Sequence, residues 1–70
     1  MQVNIRDDEE FIKLGQLLKK AGLVSSGVEA KIEISEGRVK VNGEEELRRG
    51  RKLYDGDTVE YDGTTVQVVK

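Results

Sequence analysis

Gly37-Arg38-Val39-Lys40-Val41-Asn42-Gly43-Glu44 decides the fold. Within it the apolar period changes from about 3.6 residues to about 2. Val39 and Val41 fall on one face of a strand, Arg38 and Lys40 on the other. Asn42-Gly43 is the strongest short hairpin signal available, so the chain should turn there and return antiparallel through a strand that includes Leu47. Downstream, Asp55-Gly56-Asp57 reads as a turn, and Val59 and Tyr61 alternate again. Asp62-Gly63 then makes a second hairpin into Val66 and Val68.

Upstream of Gly37 the pattern is helical. Ser26 and Glu29 have capping-box spacing, and Gly37 stops the helix they open. Val28, Ala30 and Ile34 are expected to face a preceding helix. That first helix should begin near Asp8, because Asp7 and Glu10 have the same spacing. Phe11, Leu14, Leu17, Leu18 and Ala21 then form one apolar stripe directed at the core. Lys19 and Lys20 occupy its last turn, where cations complement the dipole, and Gly22 ends it. Gly15 costs this helix about 1 kcal/mol relative to Ala, which implies close approach by another element. Val24-Ser25-Ser26-Gly27 links the two helices, and Val3 and Ile5 suggest an opening strand. The expectation is a single α+β domain over residues 1–70, a two-helix hairpin packed on a small antiparallel sheet of short strands.

Composition narrows the function. With 70 residues the chain buries roughly 60% of its unfolded surface, and a stability of about 3–5 kcal/mol is expected. It contains no Cys and no His, which removes catalytic triads, thiol nucleophiles, zinc fingers and haem ligation. Asp55, Asp57, Glu60 and Asp62 have turn or strand roles, and their spacing misses the EF-hand pattern. Ser25, Ser26, Thr58, Thr64 and Thr65 lack an imidazole base, and no Gly-rich phosphate loop is present. No enzyme activity, metal or cofactor is expected. No apolar run approaches a membrane span and no signal-peptide pattern opens the chain, so a soluble cytoplasmic protein with no membrane partner and no small-molecule substrate is expected.

The net charge is −2, from 12 Lys and Arg against 14 Asp and Glu. That average conceals blocks. Asp7–Glu10 is acidic, and Lys13, Lys19 and Lys20 follow without an intervening acid. Glu44-Glu45-Glu46 precedes Arg48-Arg49-Gly50-Arg51-Lys52, and Asp55, Asp57, Glu60 and Asp62 return to acid. Either the acidic and basic runs neutralise each other on adjacent strands, or the cations face a partner. Arg offers planar, bidentate donors to phosphate, which makes the run from Arg48 to Lys52 the leading binding candidate. Lys19, Lys20, Lys31, Arg38 and Lys40 stand near the ends of neighbouring elements and could converge with it on one rim. The N-terminus of the helix opened by Ser26 adds free backbone N–H groups.

From Leu14 to Val59 the chain resembles the S4 RNA-binding domain. The resemblance is carried by Leu17-Leu18-Lys19 with Ala21-Gly22, Ser26 with Ala30-Lys31, Gly37 through Glu44, and Gly56-Asp57-Thr58-Val59. Leu14 through Lys19, Ser26-Gly27 and Arg48 through Leu53 look most like a small stand-alone bacterial group of such domains. Many S4 domains place an Arg directly after the Ser, and Gly27 stands there instead, leaving backbone N–H groups to meet phosphate. The resemblance implies binding of structured RNA, ribosomal RNA or a ribosomal particle above all, with a role in ribosome maturation. Carried over by position, Ser26 shapes the helix start, and Lys31, Lys40, Arg48, Arg49, Arg51 and Lys52 are the cationic contacts. Recognition would act through phosphates, 2′-hydroxyls and shape, since A-form grooves hide base edges. With Phe11 assigned to the core, no aromatic platform for unpaired bases is expected, and Tyr54 is assigned to packing before stacking. The competing expectation is a protein-interaction module using opposed acidic and basic faces.

Overall fold

The Asn42-Gly43 hairpin forms as expected. Asn42 (φ 52°) and Gly43 (φ 84°) both adopt the left-handed region, the geometry of a two-residue hairpin loop. The Asn42 side chain bonds to the strand paired alongside, its Oδ1 accepting from the Thr58 N–H at 2.9 Å and its Nδ2 donating to Asp57 Oδ1 at 3.1 Å. One residue thereby sets this hairpin and ties it to the next strand.

The computed structural model describes all 70 residues. Its elements are β1 (Gln2–Asn4), β2 (Ile12–Lys13), α1 (Leu14–Lys20), α2 (Gly27–Ser35), β3 (Val39–Val41), β4 (Glu44–Glu45), β5 (Lys52–Leu53), β6 (Thr58–Tyr61) and β7 (Thr64–Val69). The main sheet has the order β1-β7-β6-β3-β4, and β2 and β5 form a separate two-stranded ladder. The α+β architecture, a helical hairpin on a sheet of short strands, is the one anticipated. The sheet is mixed, because β1 runs parallel to β7 with Val3 opposite Val68, while its other pairs are antiparallel. A three-residue strand carries no local sign of a partner more than sixty positions away.

Fifteen apolar residues form the core. Leu14, Leu17 and Leu18 from α1 and Ala30 and Ile34 from α2 pack onto Val39, Val41, Val59, Val66 and Val68 from the sheet, with Leu53 beside them. Period-2 alternation leaves Lys40 and Glu60 on the opposite, solvated face.

Four expectations need correction. The first helix starts at Leu14, not near Asp8, because Ile12 and Lys13 pair with Leu53 and Lys52 and hold the backbone extended. The acidic segment before it instead makes a turn, with the Glu9 N–H donating to the Arg6 carbonyl. Phe11, displaced from the helix, is only half-buried and lies outside the core. Val28 is exposed on α2, since Ala30 and Ile34 alone supply the buried face. Finally, β4 ends at Glu45, and Leu47 is exposed while Glu46 turns inward.

Candidate nucleic-acid interface

The basic loop is organised by that inward-turned acid. Glu46 is 7% exposed, and its carboxylate accepts from Arg48 Nε (2.9 Å), Arg48 Nη2 (3.1 Å), Arg51 Nη1 (2.8 Å) and the Arg48 backbone N–H (3.0 Å). These bonds pull its pKa down to about 2, with the Arg48 hydrogen bond the largest cause and Arg51 next, against burial. The Arg48 guanidinium is correspondingly held above its usual value. One glutamate thus answers two arginines, so the neutralisation reading is half right: Glu44 and Glu45 remain exposed and form no salt bridge with the loop.

Arg49 points the other way. Its backbone carbonyl accepts from the Gly15 N–H at 3.0 Å, and the Arg51 carbonyl accepts from Leu14 at 2.9 Å, clamping the loop onto the start of α1. A Cβ at residue 15 would fall 2.6 Å from Arg49 Cγ. Gly15 is therefore the close approach its cost in the helix implied, and Arg49 is the element that approaches.

The result is an open cleft of about 290 Å³ lined by Lys13, Gly15, Gln16, Lys19, Gly27, Arg49 and Gly50. Lys13, Lys19 and Arg49 form no salt bridge. Three uncompensated cations from α1, its preceding strand and the basic loop therefore meet beside Gly27 at the start of α2. The Gln16 side chain lies between them and accepts from the Lys13 N–H at 3.4 Å. Lys13 and Gln16 were not among the sequence candidates. The acid-free run from Lys13 to Lys20 was the available signal, obscured by placing Lys13 inside the helix.

The remaining candidates divide. Arg48, Arg51 and Lys52 line a neighbouring open surface with Gly50, continuous with the cleft through that glycine. Lys31 is exposed on α2 and forms no salt bridge. Ser26 caps α2 by accepting from the Glu29 N–H at 3.1 Å, while the Glu29 carboxylate folds back onto the Ser25 N–H at 2.6 Å. Lys20 is committed to the Asn4 carbonyl at 2.6 Å. Arg38 is paired with Glu33 (2.8 Å) and Glu36 (2.9 Å), away from the cleft. Lys40 lies on the outer sheet face between cross-strand Glu45 and Glu60. The nine candidate cations do not share one rim: the structure gathers Lys19 and Arg49 beside Gly27, with Arg48, Arg51 and Lys52 adjoining, and sets Arg38 and Lys40 apart.

The aromatic assignments also change. Tyr54 is 49% exposed, so it is not a packing residue. Phe11 lies 6.1 Å from it between ring centroids, tilted by 55°, and Lys52 Nζ sits 4.8 Å from the Phe11 centroid. The third aromatic residue, Tyr61, is structural. Its hydroxyl donates to Glu33 Oε1 at 2.6 Å, joining β6 to α2, and this bond, aided by burial, pushes its pKa up to about 12. The folded state thus favours neutral Tyr61, and the stabilisation present below pH 10 is lost as the pH rises towards 12. In a Tyr54→Phe variant, absorbance titration should show the remaining phenol ionising at pH about 12, and Glu33→Gln should return it towards 10.

This helical hairpin, with a basic loop clamped across its opening, defines a class of small domain, and comparison with known proteins assigns the class. The S4 domain family model matches residues 3–69, and the chain belongs to that family. It is 55% identical over 56 residues to the Bacillus subtilis protein named "Probable ribosome maturation protein RlbA", covering 80% of this chain and 79% of that one. It is 48% identical over 58 residues to YbcJ of Escherichia coli K12, covering 83% of each. The solution structure of Escherichia coli YbcJ, described as revealing an αL motif involved in RNA binding, superimposes with a TM-score of 0.73. That match covers 99% of this chain and 86% of YbcJ at 40% identity. No helix here is long and apolar enough to cross a membrane.

Proposed function

We propose that this protein binds structured RNA, with ribosomal RNA as its target and ribosome maturation as its setting. The observation that carries the reading is the convergence of unpaired Lys13, Lys19 and Arg49 on one cleft. Phosphates would enter it, with Arg48, Arg51, Lys52 and Lys31 extending the positive surface along the backbone. Membership of the S4 family and the descriptions given to RlbA and YbcJ support both the ligand class and the setting. The acidic outer sheet face, where Lys40 is bracketed by glutamates, would turn away from the RNA and restrain non-specific adhesion. Arg38, engaged by two acids, would contribute little.

Neutralising about three to five phosphates predicts a log–log salt slope of about −2 to −3.5, using the single-strand coefficient. Titration of a ribosomal RNA fragment between low and moderate salt measures it. A slope near zero would remove the electrostatic basis of the proposal. Crosslinking in cells followed by sequencing tests the target: enrichment of ribosomal RNA is expected, and an even spread over transcripts would reject it. A protein-docking module would instead retain its partners after ribonuclease treatment.

A further inference from the structure

The half-buried Phe11 forms the apolar wall of a second cleft, of about 400 Å³, lined also by Arg6, Glu9, Ile12, Gln16, Lys19 and Lys20. Gln16 and Lys19 border both this space and the phosphate cleft, so the two are neighbours across α1. Outside the cleft lining, Tyr54 adjoins Phe11 at 6.1 Å between ring centroids, and Lys52 holds a cation 4.8 Å from the Phe11 ring. Core packing does not require this arrangement. Tyr54 is exposed and Phe11 lies outside the core, although a folded domain gains most by burying such rings. An apolar ring wall, cations at its border and a volume within the range of small-ligand sites are the chemistry of a nucleotide site.

We propose that this cleft receives one unpaired nucleotide of the bound RNA, its base stacked against Phe11 and its phosphate directed towards Lys19. The inference rests on the RNA-binding reading and deepens it, because a purely backbone-reading interface has no use for an aromatic wall. Glu9 and Gln16 supply an acceptor and an amide at the same cleft, suited to the amino group of a base. The site therefore suits a purine, whose large π-face and exocyclic amine use both features. Arg6, turned to Asp8 at 3.5 Å and Glu9 at 3.8 Å, sits at the edge, where an incoming phosphate would compete for it.

The test compares two probes of equal charge: a short oligoadenylate and the same ribose-phosphate chain without bases. Wild-type protein is expected to bind the oligoadenylate about 10-fold more tightly, an effect of the size one stacked base contributes. Quenching of Tyr54 fluorescence should accompany that binding alone. Phe11→Leu keeps an apolar wall without a π-face and should abolish the preference while leaving affinity for the abasic chain unchanged. Tyr54→Ala, at an exposed position, should reduce the preference with the fold intact. Equal binding of both probes by wild type, or a preference that survives Phe11→Leu, would overturn the nucleotide site and leave the phosphate interface standing. If neither probe nor a ribosomal RNA fragment binds, the RNA-binding reading itself falls.

Discussion

The double variant Arg48→Ala/Arg51→Ala is expected to lose about 1–2 kcal/mol of folding stability, a large share of the roughly 3–5 kcal/mol that a domain of this size holds. The reason is the acid, not the arginines. Both substitutions strip the Glu46 carboxylate, 7% exposed while the arginines cover it, of every donor but the Arg48 backbone N–H and leave water to replace them. Adding Glu46→Gln should recover part of the loss, because an amide costs less to bury than an unpaired carboxylate. Chemical denaturation of the three proteins measures both effects. If the double variant is as stable as wild type, Glu46 is not an anchor. The same group sets the acid limb of stability. Its folded pKa of about 2 lies below the usual 4.5, so its stabilisation is complete above about pH 4.5 and fades as the pH falls to about 2. Because Arg48 is 74% exposed, solvent screening reduces that pH-dependent part to about 1–2 kcal/mol. Glu46→Gln should flatten the stability profile between those pH values.

Lys13→Ala/Lys19→Ala/Arg49→Ala should weaken binding to a ribosomal RNA fragment on the order of 100-fold and shallow the salt slope by about 2. All three side chains are exposed and outside salt bridges, so folding stability should change by less than about 1 kcal/mol. That separation gives the variant its force. Removing the entire Arg48–Lys52 cluster would mix lost contacts with a collapsed Glu46 anchor, and its failure to bind would be uninterpretable. Arg38→Ala serves as the opposite control: one cation fewer, already engaged by Glu33 and Glu36, and little change in affinity. If it weakened binding as much as the triple variant, the cleft would not be where RNA docks.

The parts of this molecule legible in its sequence are those governed by local rules. Asn42-Gly43, the α2 cap at Ser26 and the Gly22 and Gly37 stops depend on a few adjacent residues, and each forms where expected. Gly15 could be read as a point of contact because a helix keeps a costly glycine only for a reason. What escaped depends on distant partners. Nothing between Asp7 and Phe11 announces that Ile12 will pair with Leu53, yet that pairing moves the helix start and leaves Phe11 half-buried outside the core. The site followed the same division. The basic run was visible as composition, but which arginines are engaged depends on whether Glu46 or Leu47 turns inward. Here four hydrogen bonds from Arg48 and Arg51 compensate a buried carboxylate, and the leucine stays outside.

The last strand in the sequence is an interior strand of the sheet. β7 lies between β1 and β6, and the Ile5 N–H donates to the Val69 carbonyl at 2.7 Å. During synthesis, β1 therefore emerges first and waits for residues 64–69 before it has a partner. Neither the helical hairpin nor the β3–β4 hairpin can complete the core without Val66 and Val68. Folding of the chain is therefore postponed until residues 64–69 are free to pair, and non-local closure of this kind slows it further. A chain truncated at Gly63 would leave the apolar faces of α1 and α2 without Val66 and Val68 to cover them, the kind of exposed surface that favours aggregation.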